Sequence, residues 1–258
     1  MNHILMQSRW KFLLAVFKIK RLAHKWFGMS RLDYGPKDIF ILTDTIREYQ
    51  TRANSVAKEP KTVAWIEKNI GPDAVLYDIG ANVGAYSLIA AARGIKVFAF
   101  EPAHQNVYKL HENILLNKLS SLITVVPLML AARDGVSNSI VKDKSFGASH
   151  TFSFQEKSSS QSDMSQTFLA IGLDTCIKTF SLPEPTMIKI DVDGAEVDVL
   201  NGAHMLLKNP KLQTMLIETD RTTSEAVKRI CTDMGFKIID EEKFDDKNGT
   251  INYIFKRG

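Results

Sequence analysis

The segment VLYDIGANVGAYS, residues 75–87, places an acid and two glycines where a buried strand would turn into a helix. Asp78 ends the apolar stretch, and Gly80 and Gly84 punctuate the turn that follows. Glycine lets the backbone approach a ligand closely, and the free N–H groups at a helix start favour a polar or anionic group. Glu101 ends the next apolar stretch, where a carboxylate can accept hydrogen bonds from ribose hydroxyls. The pattern predicts a site for a nucleotide-type ligand.

Two ligands with a nucleoside part fit this arrangement, a dinucleotide and S-adenosylmethionine. A dinucleotide fingerprint requires glycine at positions 80, 82 and 85, but Asn82 and Ala85 occupy the second and third. Asp78 before the turn suits a ligand with a cationic amino-acid end better than a pyrophosphate. The residues therefore favour S-adenosylmethionine, with an NAD-dependent oxidoreductase as the less favoured alternative.

A second acidic block, IKIDVDGAEVDVL, covers residues 188–200. Asp191 follows an apolar stretch, and Glu218 follows the next one along the chain. A buried carboxylate needs a partner, because unpaired burial of a charge is costly. One role is a general base that deprotonates an acceptor hydroxyl; the other is a site for Mg²⁺, built from two or three carboxylates. We assign Asp191 and Glu218 as candidate catalytic residues, name no metal ligand, and keep Mg²⁺ as the less favoured alternative.

The elements that position these residues alternate between strand and helix from residue 74 onward. Predicted strands cover residues 74–77, 96–100, 123–130, 187–190 and 214–217, and a closing hairpin covers 236–239 and 251–255. Predicted helices cover residues 85–92, 103–117, 195–207 and 224–234. Such alternation predicts an α/β fold with a mostly parallel sheet and helices on both faces. The hairpin makes the last strand antiparallel.

The positive charge is concentrated at the N-terminus. The formal charge is +4, but residues 1–32 hold seven of the 33 Lys and Arg side chains and no acid. The rest of the chain is therefore slightly acidic, and we expect no nucleic-acid partner. Apolar residues at helical spacing among these lysines predict an amphipathic helix. It would pack on the body, lie on anionic lipid through residues 1–31, or act as a transit peptide.

Composition restricts the class of protein further. Hydrophobic residues make up 45% and charged residues 24%, as in ordinary globular proteins. The two cysteines provide no disulfide framework and no thiolate zinc site. No apolar run approaches the ~20 residues of a membrane span. We expect a cytoplasmic protein, with peripheral membrane contact as an alternative.

Residues 134–185 interrupt the alternation of strand and helix. Within them, residues 153–166 are polar and serine-rich, which predicts a mobile loop. An acceptor-side loop and a plain surface insertion are both consistent with this composition. We therefore divide the chain into an N-terminal basic helix and cap segment, residues 1–57, and a catalytic domain, residues 58–258, that carries this insertion.

Four sequence blocks resemble the FkbM-type methyltransferases. They are KEPKTVAWIEKN (58–69), YDIGANVGAYS (77–87), FAFEPAHQNVYKLHENILLN (98–117) and MIKIDVDGAEVDVLNGA (187–203), followed by LIET (216–219). The resemblance implies a class I methyltransferase fold, which is Rossmann-like. It also implies methyl transfer from S-adenosylmethionine, most often to an oxygen of a sugar, polyketide or lipid-linked acceptor. The first 57 residues and the serine-rich insertion lie outside it.

The resemblance also implies a role for individual residues. The residues that would surround the amino-acid part of the cofactor are Asp78, Gly80, Ala81, Asn82 and Gly84. Glu101 would bind the ribose, and Pro102 would turn the chain after it. We therefore expect an O-methyltransferase that acts on a hydroxyl group. The alternative from another class is a catalytically silent module of the same fold, held at a membrane surface or on a partner.

Overall fold

The computed structural model describes residues 28–140 and 165–258. The predicted basic helix before residue 28 and the serine-rich loop over residues 153–164 lie outside these ranges. The strands are β1 Met29–Arg31, β2 Phe40–Leu42, β3 Val75–Ile79, β4 Lys96–Phe100, β5 Ile123–Val126, β6 Met129–Leu130, β7 Gly135–Ile140, β8 Ser165–Ile171, β9 Met187–Ile190, β10 Thr214–Thr219, β11 Phe236–Lys243 and β12 Ile251–Arg257. The helices are α1 Ile46–Glu48, α2 Ser55–Lys58, α3 Pro60–Lys68, α4 Ala85–Ala92, α5 His104–Leu116, α6 Leu173–Phe180, α7 Glu196–Asn201, α8 His204–Lys208 and α9 Ser224–Asp233, with a π-helical turn at Tyr49–Ala53.

The central sheet contains seven strands in the described part of the chain, in the order β11-β12-β10-β9-β3-β4-β5. β5, β4, β3, β9 and β10 run parallel, and β12 runs antiparallel to both β10 and β11. Helices cover both faces, so the predicted α/β fold with a mostly parallel sheet and an antiparallel last strand is confirmed.

Alternating side chains of the strands divide the core into two clusters. Leu76 on β3 packs with Ile66 and Leu88 on one face, whereas Tyr77 packs with Phe98 and Val199 on the other. Successive side chains of a strand point to opposite faces, so a strand covered on both sides reads as a continuous apolar run. Burial on both faces fixes the register of β3 against β4 and β9. The register in turn determines where the residues that follow β3 lie relative to the ends of β4 and β9.

Two predicted elements are each broken in the structure. The strand predicted over residues 123–130 ends at Val126, because Pro127 has no N–H to donate. Met129–Leu130 instead pairs with β8 in a separate sheet of order β6-β8-β7. The helix predicted over residues 195–207 is interrupted at Gly202, whose carbonyl accepts a hydrogen bond from the Asp174 N–H.

The insertion begins and ends with regular structure. β7 and β8 form an antiparallel pair at its two ends, and α6 follows them. The strand β8 includes Ser165 and Gln166, which were predicted to belong to the mobile loop. Among the helices of the described ranges, none is long and apolar enough to cross a bilayer.

The part of the cap segment that is described, residues 28–57, packs directly on the body. Leu32 and Ile41 belong to the same apolar cluster as Leu76. Asn113 on α5 and Asn117, the residue after this helix, accept hydrogen bonds from the backbone of β2. The Lys109 ammonium, also on α5, is buried and pairs with Asp44 and Glu48. The cap is therefore held at both its hairpin and its first helix; the domain boundary at residue 57 stays a prediction.

We expect Lys109→Met to lower the free energy of unfolding by about 3–5 kcal/mol, because it leaves the buried Glu48 carboxylate without its cation. Urea denaturation measures this change. The double variant Lys109→Met/Glu48→Gln removes both charges, and glutamine keeps the capping function at that position. We expect the double variant to recover most of the loss. Equal stability of the wild type and the single variant would show that this pair does not hold the cap.

Candidate functional site

The glycine loop lies at the carboxyl end of β3. Gly80 has a φ of +83°, and a Cβ at this position would lie 1.8 Å from the carbonyl oxygen of Asp191. The N–H groups of Gly80 and Ala81 both donate to the Phe100 carbonyl at the end of β4. Gly84, with a φ of +93°, is the residue from which α4 begins. The loop thus packs tightly against two neighbouring strand ends, and only glycine fits at position 80.

Asp78 lies beneath this loop and is 1% exposed. One of its carboxylate oxygens accepts a hydrogen bond from the Ser87 hydroxyl on α4, and the other has no hydrogen-bond partner among the described groups. Burial raises the pKa of Asp78, although Lys189 and Ser87 oppose the shift. Asp78 does not line the pocket above the loop. Its predicted contact with the cofactor stays a prediction.

Glu101 lines that pocket from the end of β4, as do Pro102 and the loop residues Gly80, Ala81, Asn82 and Gly84. Its two carboxylate oxygens accept hydrogen bonds from the N–H groups of Asn82 and Ala103, each at 2.9 Å. Burial raises the pKa of Glu101 to about 7, against the effect of these two bonds. A carboxylate oxygen can accept more than one hydrogen bond, so Glu101 retains capacity for a hydroxyl donor in the pocket.

Asp191 and Glu218 line the same pocket from the neighbouring strands. The Lys189 ammonium lies 2.8 Å from a carboxylate oxygen of Asp191. Burial disfavours ionisation of Asp191, but the nearby Lys189 outweighs it and lowers the pKa of this carboxyl. Burial raises the pKa of Glu218 to about 9, and the negative charges of Asp191 and Glu59 add to the shift. Within this pair, Asp191 is therefore the acid that favours the ionised form at neutral pH, and Glu218 is the acid that favours the protonated form.

Lys189 connects the acid pair to the glycine loop. It is 2% exposed, and its register partner across β3 and β9 is Asp78. Its ammonium lies 5.0 Å from the ring centroid of Tyr86. Burial opposes the charged form, but Asp191, Asp78 and Glu59 together raise the pKa of Lys189. Lys189 is thus a buried cation that holds Asp191 in its ionised form.

The cap segment and the adjoining residue Lys58 also contribute to the pocket. Thr51 and Arg52, from the π-helical turn, and Ser55 and Lys58, from α2, line it. The Lys58 ammonium lies 2.9 Å from a carboxylate oxygen of Glu59, which is buried and also accepts a hydrogen bond from Thr62. The pocket lining therefore contains two groups of opposite charge. We call the cations Arg52 and Lys58, with their neighbours Thr51 and Ser55, the wall, and we call the glycine loop and the acids at the strand ends the floor.

The sequence predicted most residues of the floor and none of the residues of the wall. Of the nine predicted site residues, all except Asp78 line the pocket. The cap residues and the apolar group Leu128, Met129 and Leu130 were not predicted to contribute. Lys189 carried a usable signal, since it lies two residues before Asp191 and thus on the same face of the strand. The cap carried none, because its contacts are with residues distant in the chain.

Within the described residues, no group of three or more His, Cys, Asp and Glu side chains is arranged to hold a metal ion. The described residues therefore provide no candidate ligand set for the Mg²⁺ alternative. The carboxylate of Asp191 is paired with Lys189.

Comparison with known proteins gives one family. The sequence profile described as "Methyltransferase FkbM domain" matches residues 78–242, well over half of the chain, which confirms the resemblance. A curated relative, hexuronic acid methyltransferase AglP of Haloferax volcanii, is 27% identical over 151 residues. The match covers 58% of this chain and 59% of the relative, so this chain spans about three fifths of that protein's length.

Two of the solved structures that are similar to this chain are methyltransferases at low sequence identity. One is a putative tRNA (m1A22) methyltransferase of Streptococcus pneumoniae in complex with S-adenosyl-L-methionine, at 15% identity and a TM-score of 0.48, covering 77% of this chain and 72% of that one. The other is a precorrin-6y C5,15-methyltransferase of Geobacter metallireducens, at 13% identity and a TM-score of 0.47, covering 77% and 88%. Similarity at this level does not identify the reaction of this chain.

Proposed function

The chain belongs to the FkbM methyltransferase family, and from that premise we propose that it transfers a methyl group from S-adenosylmethionine to a hydroxyl oxygen of a sugar-type acceptor. The observation that carries this proposal is the pair Asp191 and Glu218, which lines one pocket together with the glycine loop. Lys189, 2.8 Å from Asp191, lowers the pKa of that acid, whereas burial raises the pKa of Glu218. Two acids whose pKa values are shifted in opposite directions are suited to distinct roles in proton transfer.

The pocket fits the proposed cofactor. Gly80 packs against the Asp191 carbonyl, where no Cβ would fit, and this contact holds the glycine loop beside the pocket that Gly80 lines. Glu101 offers carboxylate oxygens to ribose hydroxyls from the end of β4. S-adenosylmethionine, when bound, supplies an electrophilic methyl group on a sulfonium. The loop residues Gly80, Ala81, Asn82 and Gly84 would hold its amino-acid part.

The acid pair would act on the acceptor. Asp191, ionised beside Lys189, accepts the hydrogen bond of the acceptor hydroxyl and takes its proton as the oxygen gains the methyl group. Glu218, protonated at neutral pH, donates a hydrogen bond that orients the acceptor oxygen. These two groups would also position the hydroxyl for its reaction with the methyl group. Orientation accounts for much of the acceleration in such reactions, so we expect positioning to contribute more to the rate than acid–base chemistry alone. The relative AglP is a hexuronic acid methyltransferase, which supports a glycan-type acceptor over a polyketide.

Methyl transfer from tritium-labelled S-adenosylmethionine to simple glycosides tests the proposal. We expect label in the glycoside product, and we expect that label to resist mild alkali, because a methyl ether is stable where a methyl ester is hydrolysed. Heat-denatured protein provides the blank. Absence of label in every glycoside, with folded and cofactor-bound protein, would contradict the acceptor class. Label released by alkali would contradict a hydroxyl as the methylated group.

Cofactor affinity is expected to depend on pH through Glu101. Its pKa of about 7 means that the carboxyl is protonated below this pH and ionised above it. Because the ionised form accepts more hydrogen bonds, we expect the affinity for S-adenosylmethionine to rise from about pH 6 to about pH 8 and then level off. Calorimetric titration across this range measures the effect. Glu101→Gln, which does not titrate, is the control and reports any titration of the cofactor itself; the same rise in this variant would exclude Glu101 as its source.

A further inference from the structure

We propose that Lys58, at the end of α2, binds the carboxylate of an anionic sugar, so that the acceptor is a uronic-acid unit of a glycan. This inference rests on the proposed function. It adds a specificity-determining residue next to the cap, outside residues 78–242 where the family profile matches.

The position of Lys58 relative to the acid pair is the first support. Lys58 lines the same pocket as Asp191 and Glu218. Its side chain is 47% exposed, whereas Lys189, the other lysine of the pocket, is 2% exposed. Lys189 is thus enclosed by its partners, and Lys58 is the lysine that can reach a ligand from the open side.

Charge is the second support. Burial works against the charged form of Lys58, but Glu59, Asp191 and Glu218 outweigh it and raise the pKa of its ammonium. Lys58 is therefore a full cation at neutral pH. Since Lys58, Asp191 and Glu218 line one pocket, a sugar whose hydroxyl meets the acid pair can place a neighbouring carboxylate at the ammonium.

The cap holds Lys58 in a fixed position. Asp33 accepts hydrogen bonds from the N–H groups of Val56 and Ala57, at 2.9 and 2.7 Å, and so fixes the first turn of α2. Glu59, 1% exposed, anchors the other end of the helix through Thr62 and Lys58. A preorganised cation discriminates between ligands better than one on a free loop, because binding does not have to order it.

The surrounding acids select for a single negative charge. Glu59 and Asp191 both lie close enough to affect the Lys58 ammonium. A dianionic phosphate would be repelled more strongly by these acids than a monoanionic carboxylate. A neutral sugar would leave Lys58 paired with Glu59 alone. A hexuronic acid, the substrate class named for the relative AglP, carries one such carboxylate.

The test compares p-nitrophenyl β-D-glucuronide with p-nitrophenyl β-D-glucoside, which differ in a carboxylate or a hydroxymethyl at one carbon. We expect the wild type to prefer the glucuronide in kcat/KM by tenfold or more, since one charge-assisted hydrogen bond contributes about this much. Lys58→Gln should remove most of the preference, because it should raise KM for the glucuronide more than KM for the glucoside. Lys58→Arg should retain it. Lys68→Gln, which removes an exposed lysine of α3 that does not line the pocket, is the matched control.

Cofactor affinity, measured by calorimetry on each variant, separates the outcomes. If Lys58→Gln weakens S-adenosylmethionine binding and leaves the glycoside preference intact, Lys58 binds the cofactor's own carboxylate and the inference is overturned. Transfer to both glycosides without preference overturns the inference and leaves the proposed function standing. Failure of cofactor-bound wild type to methylate either glycoside counts against both.

Discussion

Asp191→Asn is expected to lower kcat for methyl transfer by about 10²–10⁴-fold, while the affinity for S-adenosylmethionine changes little. Asparagine has nearly the same shape as aspartate but cannot take the proton of the acceptor hydroxyl. Single-turnover measurement with labelled cofactor gives the rate of the chemical step directly. A rate within about threefold of the wild type would exclude Asp191 as the base.

The variant also leaves the buried Lys189 ammonium without its carboxylate partner. Loss of one member of a buried pair destabilises a protein, so thermal unfolding of Asp191→Asn must be measured alongside its rate. The double variant Lys189→Met/Asp191→Asn removes the unpaired charge. We expect it to regain stability but not activity, which separates a catalytic defect from a folding defect.

Glu218→Gln provides a comparison for the second acid. The amide can still donate a hydrogen bond, as the protonated carboxyl does, so we expect a smaller loss of kcat than in Asp191→Asn. In the wild type, ionisation of Glu218 near pH 9 removes that donor and should lower the rate. This fall at alkaline pH should be absent in Glu218→Gln.

Gly80→Ala is expected to destabilise the protein by about 2–5 kcal/mol and to abolish cofactor binding. Two effects add at this position: the φ of +83° is unfavourable for alanine, and its Cβ would lie 1.8 Å from the Asp191 carbonyl oxygen. The collision is with backbone, so no side-chain rotation relieves it. The loop or β9 must therefore move, which displaces the cofactor loop from the end of β4.

Gly94→Ala is the matched control for this substitution. Gly94 has a φ of +88°, but a Cβ there would meet nothing within 4 Å. It should therefore show only the backbone cost of about 1–2 kcal/mol and bind cofactor normally. Equal losses at the two positions would show that the close approach of Gly80 to Asp191 has no energetic importance.

Local pattern was sufficient to predict the sheet and the pocket floor. β3, β4, β9 and β10 are short apolar runs, and the acid near the carboxyl end of each marks the edge where the pocket forms. Parallel strands place those ends side by side, so Glu101, Asp191 and Glu218 meet although they are distant in sequence. Pairing of Lys189 with Asp191 follows from the same period of two.

Features that depend on contacts between distant parts of the chain could not be predicted from local sequence patterns. Met129–Leu130 leaves the central sheet because Pro127 interrupts the ladder and β8 offers a new partner. The helix break at Gly202 depends on the backbone of Asp174, which lies in the insertion. The cap wall depends on Lys109 pairing with Asp44 and Glu48 across more than 60 residues. No periodicity within the cap indicates that it faces a pocket.

The most direct test of the central claim is calorimetric titration of S-adenosylmethionine into the wild type, Glu101→Ala and Glu225→Ala, an exposed acid on α9 that serves as control. We predict saturable binding at one site per chain in the wild type and the control, and at least about tenfold weaker binding in Glu101→Ala. Wild-type protein that is folded but binds no S-adenosylmethionine at millimolar concentration, or equal affinity in all three proteins, would contradict the account.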